Sequence, residues 1–169
     1  MSLFADMLAE GDRKQIGRSG EIATIIVETP PLLEDLLNCL MDGDETVRAH
    51  GTHALMQVGI RHPELIEPFS GLILDKIAGL EQWEVQQQVL KILPKMKLSS
   101  GNRAIAIDHA RRQLNHKAAF VRTDALQALA DFSKSDPSLK KEVRAVLENA
   151  SENGAKSMQA RARRLLADL

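Results

Sequence analysis

Val47-Arg48-Ala49-His50-Gly51-Thr52-His53-Ala54-Leu55 and Val121-Arg122-Thr123-Asp124-Ala125-Leu126-Gln127-Ala128-Leu129 are two copies of one pattern. Each reads Val-Arg, two variable residues, two small or apolar residues, one variable residue, then Ala-Leu. Midway between them, Val85 to Leu93 keeps the apolar positions, and Met158 to Leu166 is a degraded fourth copy. The anchors 47, 85, 121 and 158 stand 38, 36 and 37 residues apart. A period of this size marks stacked supersecondary units, each too small to bury its own apolar face.

The period inside each copy is helical. Val47, Gly51, Ala54, Leu55 and Val58 recur at the spacing of one helix face, as do Val85, Val89, Ile92, Leu93 and Met96, and Val121, Ala125, Ala128, Leu129 and Phe132. These are termed B helices. An A helix precedes each one: Leu32 to Leu40, Leu65 to Ile77, a weaker stripe from Ala104 to Leu114, and Leu139 to Leu147. Pro30-Pro31, Pro63 and Pro137 open three of the A helices, where a missing N–H is harmless. Pro68 falls inside the second A helix and predicts a kink or a delayed start. Asp44, after the turn Met41-Asp42-Gly43, reads as the N-cap of the first B helix. Upstream, Arg13 to Val27 predicts a further helix and Ser2 to Glu10 a short one.

The expected fold is all-α, one helical-repeat domain over residues 1–169. Residues 1–30 form a cap or degenerate repeat, and four hairpins span about 31–59, 63–98, 101–133 and 137–169. A closed four-helix bundle is the competing fold, but it does not require equal spacing between the anchors. The last copy sets Arg161, Arg163, Arg164 and Asp168 around Leu165 and Leu166, the charged outer side of a capping repeat, so the chain reads as complete.

These residues resemble the HEAT repeat family, relatives of the armadillo repeats. The features that carry the resemblance are Asp42-Gly43-Asp44-Glu45, Val47-Arg48, Ala54-Leu55 with Gly59, Val121-Arg122 with Ala128-Leu129, and His62-Pro63-Glu64-Leu65-Ile66-Glu67-Pro68. It covers about residues 31–169. It implies a right-handed α-α superhelix with A helices convex and B helices lining the concave side, and a scaffold or adaptor role. It also implies that Arg48 and Arg122 pair with acids of neighbouring repeats, although Gln86 and Gln159 break that ladder.

Composition excludes several classes. The 169 residues are 44% hydrophobic and 27% charged, with 3% aromatic residues and no Tyr, a balance that favours helices. No apolar run approaches the length of a membrane span. The first residues carry an early acid and no basic start, which argues against a secretory signal, and a cytoplasmic location is expected. Cys39 stands alone among leucines and reads as a small core residue. Residues 1–98 hold 9 Lys and Arg against 15 Asp and Glu, net −6, and residues 99–169 hold 13 against 8, net +5. Such asymmetry is that of two ordinary solvated faces, or else suits head-to-tail contact or a partner of mixed charge.

No catalytic constellation stands out. His50 and His53 are one turn apart, but no third protein ligand accompanies them, so no metal or other cofactor is expected. None of the five histidines forms the His-Glu pair of the iron-binding HEAT hydroxylases. Gly17-Arg18-Ser19-Gly20 is too short for a phosphate loop, and there is no Gly-x-Ser-x-Gly elbow. The HEAT-like DNA-repair glycosylases need a basic concave face with aromatics. Arg103, Arg111, Arg112, Arg161, Arg163 and Arg164 are the cations available, and a pI near 6.5 weighs against nucleic acid.

The expected function is therefore non-enzymatic binding of a protein or peptide through the concave B-helix wall. A nucleic-acid-associated HEAT-like protein and a degenerate enzyme regulator are the competing classes. Six residues after each anchor, His53, Lys91, Gln127 and Arg164 face outward. Ten after, Gln57, Lys95, Asp131 and Asp168 do the same. The first row is polar and partly cationic, which suits an acidic peptide or helix. Trp83 faces away from the core by phase, either as an interface anchor or packed under the adjoining loop.

Overall fold

A computed structural model describes residues 2–169, and among them every regular element is helical. In chain order these are α1 (Ala5–Ala9), α2 (Ser19–Glu28), α3 (Leu33–Asp42), α4 (Glu45–Arg61), α5 (Pro63–Ile66), α6 (Ser70–Leu72), α7 (Trp83–Ile92), α8 (Ser100–Gln113), α9 (Ala119–Ser135), α10 (Lys140–Asn153) and α11 (Lys156–Asp168). No helix is long and apolar enough to cross a membrane among the described residues. The chain divides into two compact units, Met1–Asn102 and Arg103–Leu169.

In the first unit α2 and α7 both pack on α4, and α3 packs on α4 and on the π-helical turn Ile73–Ile77. The apolar stripe read for the first B helix is the buried side of α4: Val47, Ala54, Leu55 and Val58 are all buried. Asp44 caps it, its Oδ1 accepting the Val47 N–H at 2.9 Å. In the second unit α9 packs on α10 and α11, and α10 on α11, with Val121, Ala125, Phe132, Val143, Leu147 and Ala162 in the core.

Prolines account for the departures from regular helices. The second A helix is broken into α5, a 3-10 turn at Glu67–Phe69, α6 and the π-helical turn, because Pro68 offers no N–H and crowds the carbonyl four residues back. The second B helix was expected to run on through Met96. It ends at Ile92 and passes into a 3-10 turn at Leu93–Lys95, since Pro94 removes the next ladder bond.

The helix expected from Arg13 starts only at Ser19. Gly17, with φ +53°, turns the chain just before it, and a Cβ there would lie 2.7 Å from Nδ1 of His50. Glycine alone fits both demands.

The Arg that follows each anchor does not form the ladder with acids that the resemblance implied. Arg48 Nε donates to the Leu40 carbonyl at 3.3 Å, and Arg122 Nη1 donates to the His116 and Lys117 carbonyls at 2.7 and 2.9 Å. Gln86 Nε2 reaches the Ala78 and Leu80 carbonyls at 2.7 and 2.6 Å, and Gln159 Nε2 the Gly154 carbonyl at 2.9 Å. All four are long side-chain donors with one job. They satisfy main-chain carbonyls left open where the A segment ends and the chain turns into the B helix. Gln does this as well as Arg, so the two Gln residues are equivalents of Arg48 and Arg122 in this role.

Candidate functional site

The outward side of α4 carries His53 and Gln57, one turn apart and both half-buried. His53 Nδ1 lies 2.8 Å from Gln57 Nε2 and 2.9 Å from the hydroxyl of Ser19, the fully buried first residue of α2. An amide nitrogen only donates, so Nδ1 is the acceptor and Nε2 carries the proton. Burial first, then the charge of Lys91 on α7 and that of His50, holds His53 below the ordinary histidine value. His53 is thus a neutral imidazole at neutral pH, fixed by α2 and its own helix and close to a lysine ammonium. Lys91 Nζ is steadied by Gln88 Oε1 at 3.4 Å.

Beside this cluster a groove of about 250 Å³ runs between α2 and the end of α4. Ala23, Thr24, Val27 and Glu28 line one side, and Gln57, Arg61 and His62 the other. The apolar side chain of Val27 is exposed here despite its size. The combination is a shallow channel with an apolar strip, edged by the Glu28 carboxylate, an amide, a guanidinium and an imidazole, with Lys91 nearby beside His53.

His50 is fully buried, with its ring nitrogens 2.8 Å from the Leu8 carbonyl and 2.9 Å from the Asp12 carbonyl. Both nitrogens are engaged, so this ring cannot share a cation with His53. It ties the segment after α1 to α4. Arg13 of that segment meets Glu84 at 2.9 Å and also pairs with Glu45, so the loop is held to the first turns of α4 and α7. Among the described residues no group of three or more His, Cys, Asp or Glu is placed to hold a metal ion.

The remaining expected site residues are dispersed. Trp83 opens α7 and is half-buried. Lys95 is exposed but sits in the 3-10 turn beyond α7, off the helical row it was read into. In the second unit Gln127 is half-buried and donates to Asp131 Oδ1 at 3.2 Å, while its Oε1 accepts from Arg161 Nη1 at 3.3 Å. Arg164 is exposed on α11. Sequence reading missed Ser19, Thr24, Val27, Arg61 and His62. The spacing of Ser19, Ile22, Ala23 and Ile26 carried the signal, because it places α2 as one more helix packed like a B helix.

No protein-family model matches the chain, and no curated protein matches it.

Proposed function

We propose that the chain is a non-enzymatic, HEAT-like helical-repeat scaffold, its hairpins stacked as a right-handed superhelix, that binds an acidic protein segment along its B-helix face. One observation carries this reading. α2, α4 and α7 pack side by side in the first unit, and their solvent side gathers His53, Gln57 and Lys91 next to the channel between α2 and α4. The shared carbonyl-clamping role of Arg48, Gln86, Arg122 and Gln159 supports the repeat, since four hairpins close their turns in the same way.

The channel suits a short amphipathic helix or extended segment. Its apolar strip offers Ala23 and Val27 to a partner's hydrophobic residue. Arg61 at the channel and Lys91 beside His53 offer charge to acids, while Glu28 disfavours an acid at its own edge. His53, kept neutral, presents a donor N–H without adding charge.

The test is a paired affinity capture from native extract, comparing wild type with the Arg61→Glu/Lys91→Glu variant and identifying retained proteins by mass spectrometry. At least one partner with an acidic segment should be retained by the wild type and lost from the variant, with far-UV circular dichroism unchanged. Identical retained sets would discard the B-helix face as the binding surface.

A further inference from the structure

The charge of the chain divides where its two units divide: residues 1–102 carry the net −6 and residues 103–169 the net +5. In the first unit a groove of about 440 Å³ runs between α1 and α3. Ser2 and Ala5 line it from one side, Asp35, Asn38 and Asp42 from the other, and Val47 adds apolar surface. Asp35 and Asp42 are seven residues apart on one helix face, about 10.5 Å along the axis, and exposed Glu34 flanks them. Asp35 uses Oδ2 to accept from the Ser2 hydroxyl and the Leu3 N–H, both at 3.0 Å. Glu34, Asp35 and Asp42 have no cationic partner among the described residues. The groove is electronegative: burial first, and then the charges of Asp35 and Asp42, push the Cys39 thiol up against the pull of its Ser2 hydrogen bond.

In the second unit α11 has the complementary face. Lys156, Ala160, Arg163 and Arg164 are exposed, and Lys156 and Arg163 are again seven residues apart. None of these cations has a carboxylate partner among the described residues; Arg163 reaches only the Ser151 carbonyl and Gln159 Oε1, at 3.3 Å each. Ala160 stands between them with nothing beyond a methyl group, leaving room for close approach. Asp168 lies one turn beyond Arg164 but well round the helix from the Lys156–Ala160–Arg163 stripe. The exposed cations of α10, Lys140, Lys141 and Arg144, are a poorer match because the residue seven after Lys141 is Glu148, which would meet a carboxylate where α11 presents Arg163.

We infer that α11 of one copy of this chain docks antiparallel on the α1–α3 groove of a second copy. The direction follows from the charge order. α3 has two acids at its start, Glu34 and Asp35, and one at its end, Asp42; α11 has one cation at its start, Lys156, and two near its end, Arg163 and Arg164. Matching pair to pair sets the helices antiparallel, which also opposes their macrodipoles favourably. The aliphatic stems of Lys156 and Arg163 run over Ala5 and Val47 while their heads meet the carboxylates. The contact is heterologous: a pair leaves one copy's groove and the other copy's α11 unused, so assembly grows as rings or open chains.

Sedimentation velocity over about 10 to about 500 μM protein tests this, in a range suited to a weak contact. The wild type should associate with rising concentration at about 50 mM salt and lose roughly tenfold in affinity at about 500 mM, where screening is strong. Lys156→Glu/Arg163→Glu and Glu34→Lys/Asp42→Lys alter exposed residues only, and each alone should sediment as a monomer with unchanged helicity. An equimolar mixture of the two should associate again, because each supplies the charge the other now lacks. A wild type that stays monomeric throughout at low salt, variants that associate as it does, or a mixture that stays monomeric would each overturn the inference. The faces involved exclude Arg61 and Lys91, so loss of the proposed B-helix partner leaves this result unaffected.

Discussion

Replacing Gly59 by alanine isolates the close approach that holds the first unit's helices together. Gly59 lies near the end of α4, where a Cβ would stand 2.6 Å from Cδ1 of Ile66, 2.9 Å from Cγ2 of Ile92 and 3.3 Å from its Cβ. Both isoleucines are buried, and Ile92 is β-branched in a helix, so it has essentially one rotamer and cannot swing away. Alanine in a helix gains about 1 kcal/mol over glycine at most, less so near an end. Forcing a methyl into a packed core costs about 1–3 kcal/mol, and the contact with Ile92 so close to its backbone puts this case in the upper half. The expected net result is a loss of about 1–2 kcal/mol.

Gly71→Ala is the control. It is also helical, and nothing lies within 4 Å of where its Cβ would be, so it should be neutral or stabilising by up to about 1 kcal/mol. Urea unfolding followed by circular dichroism gives both values, with the slope checked for constancy so that a shifted midpoint reports stability. Equal stability of the two variants would refute the claim that α4 meets α5 and α7 this closely at Gly59.

Three further outcomes are expected. Gln86→Leu keeps the volume but strands the Ala78 and Leu80 carbonyls beneath a residue 2% exposed, and should cost about 2–3 kcal/mol in the same unfolding assay. Arg13→Ala should destabilise by about 2 kcal/mol, because it leaves the Glu84 carboxylate buried without its cation; adding Glu84→Gln should recover most of that loss, and additive losses would count against the pairing. His109 is held down to about 4, by burial first and then by Arg112, against an unfolded value near 6.5. Between those values the unfolded chain holds the extra proton, so the full contribution is present above about pH 6.5 and is lost as pH falls toward 4. Thermal unfolding from pH 7 to 4 should show this loss, at most about 3 kcal/mol, and His109→Gln should flatten it.

Much of the architecture was legible before any coordinates, because its signals are local. Apolar residues at helical spacing named the buried sides of α3, α4, α9 and α11, Asp44 announced its own cap, and Pro68 foretold the broken segment after His62. Pro94 was equally visible as a stop, yet the apolar Met96 at the right phase favoured a longer helix. The missing N–H prevails over periodicity there, and Lys95 leaves the helical row with it.

What periodicity by itself determined was which residues turn inward along each helix and that four such helices recur at one interval; that information resides in φ, ψ and side-chain phase. Which residues meet across 34 to 71 positions of chain was decided only by tertiary packing. Ser19 reaches His53, Leu8 and Asp12 offer carbonyls to His50, and Arg13 finds Glu84 only once α1 and the loop after it fold onto α4. The physical reason is that a helix face specifies direction relative to its own axis but not the neighbour it packs against, and these polar contacts belong to the neighbour.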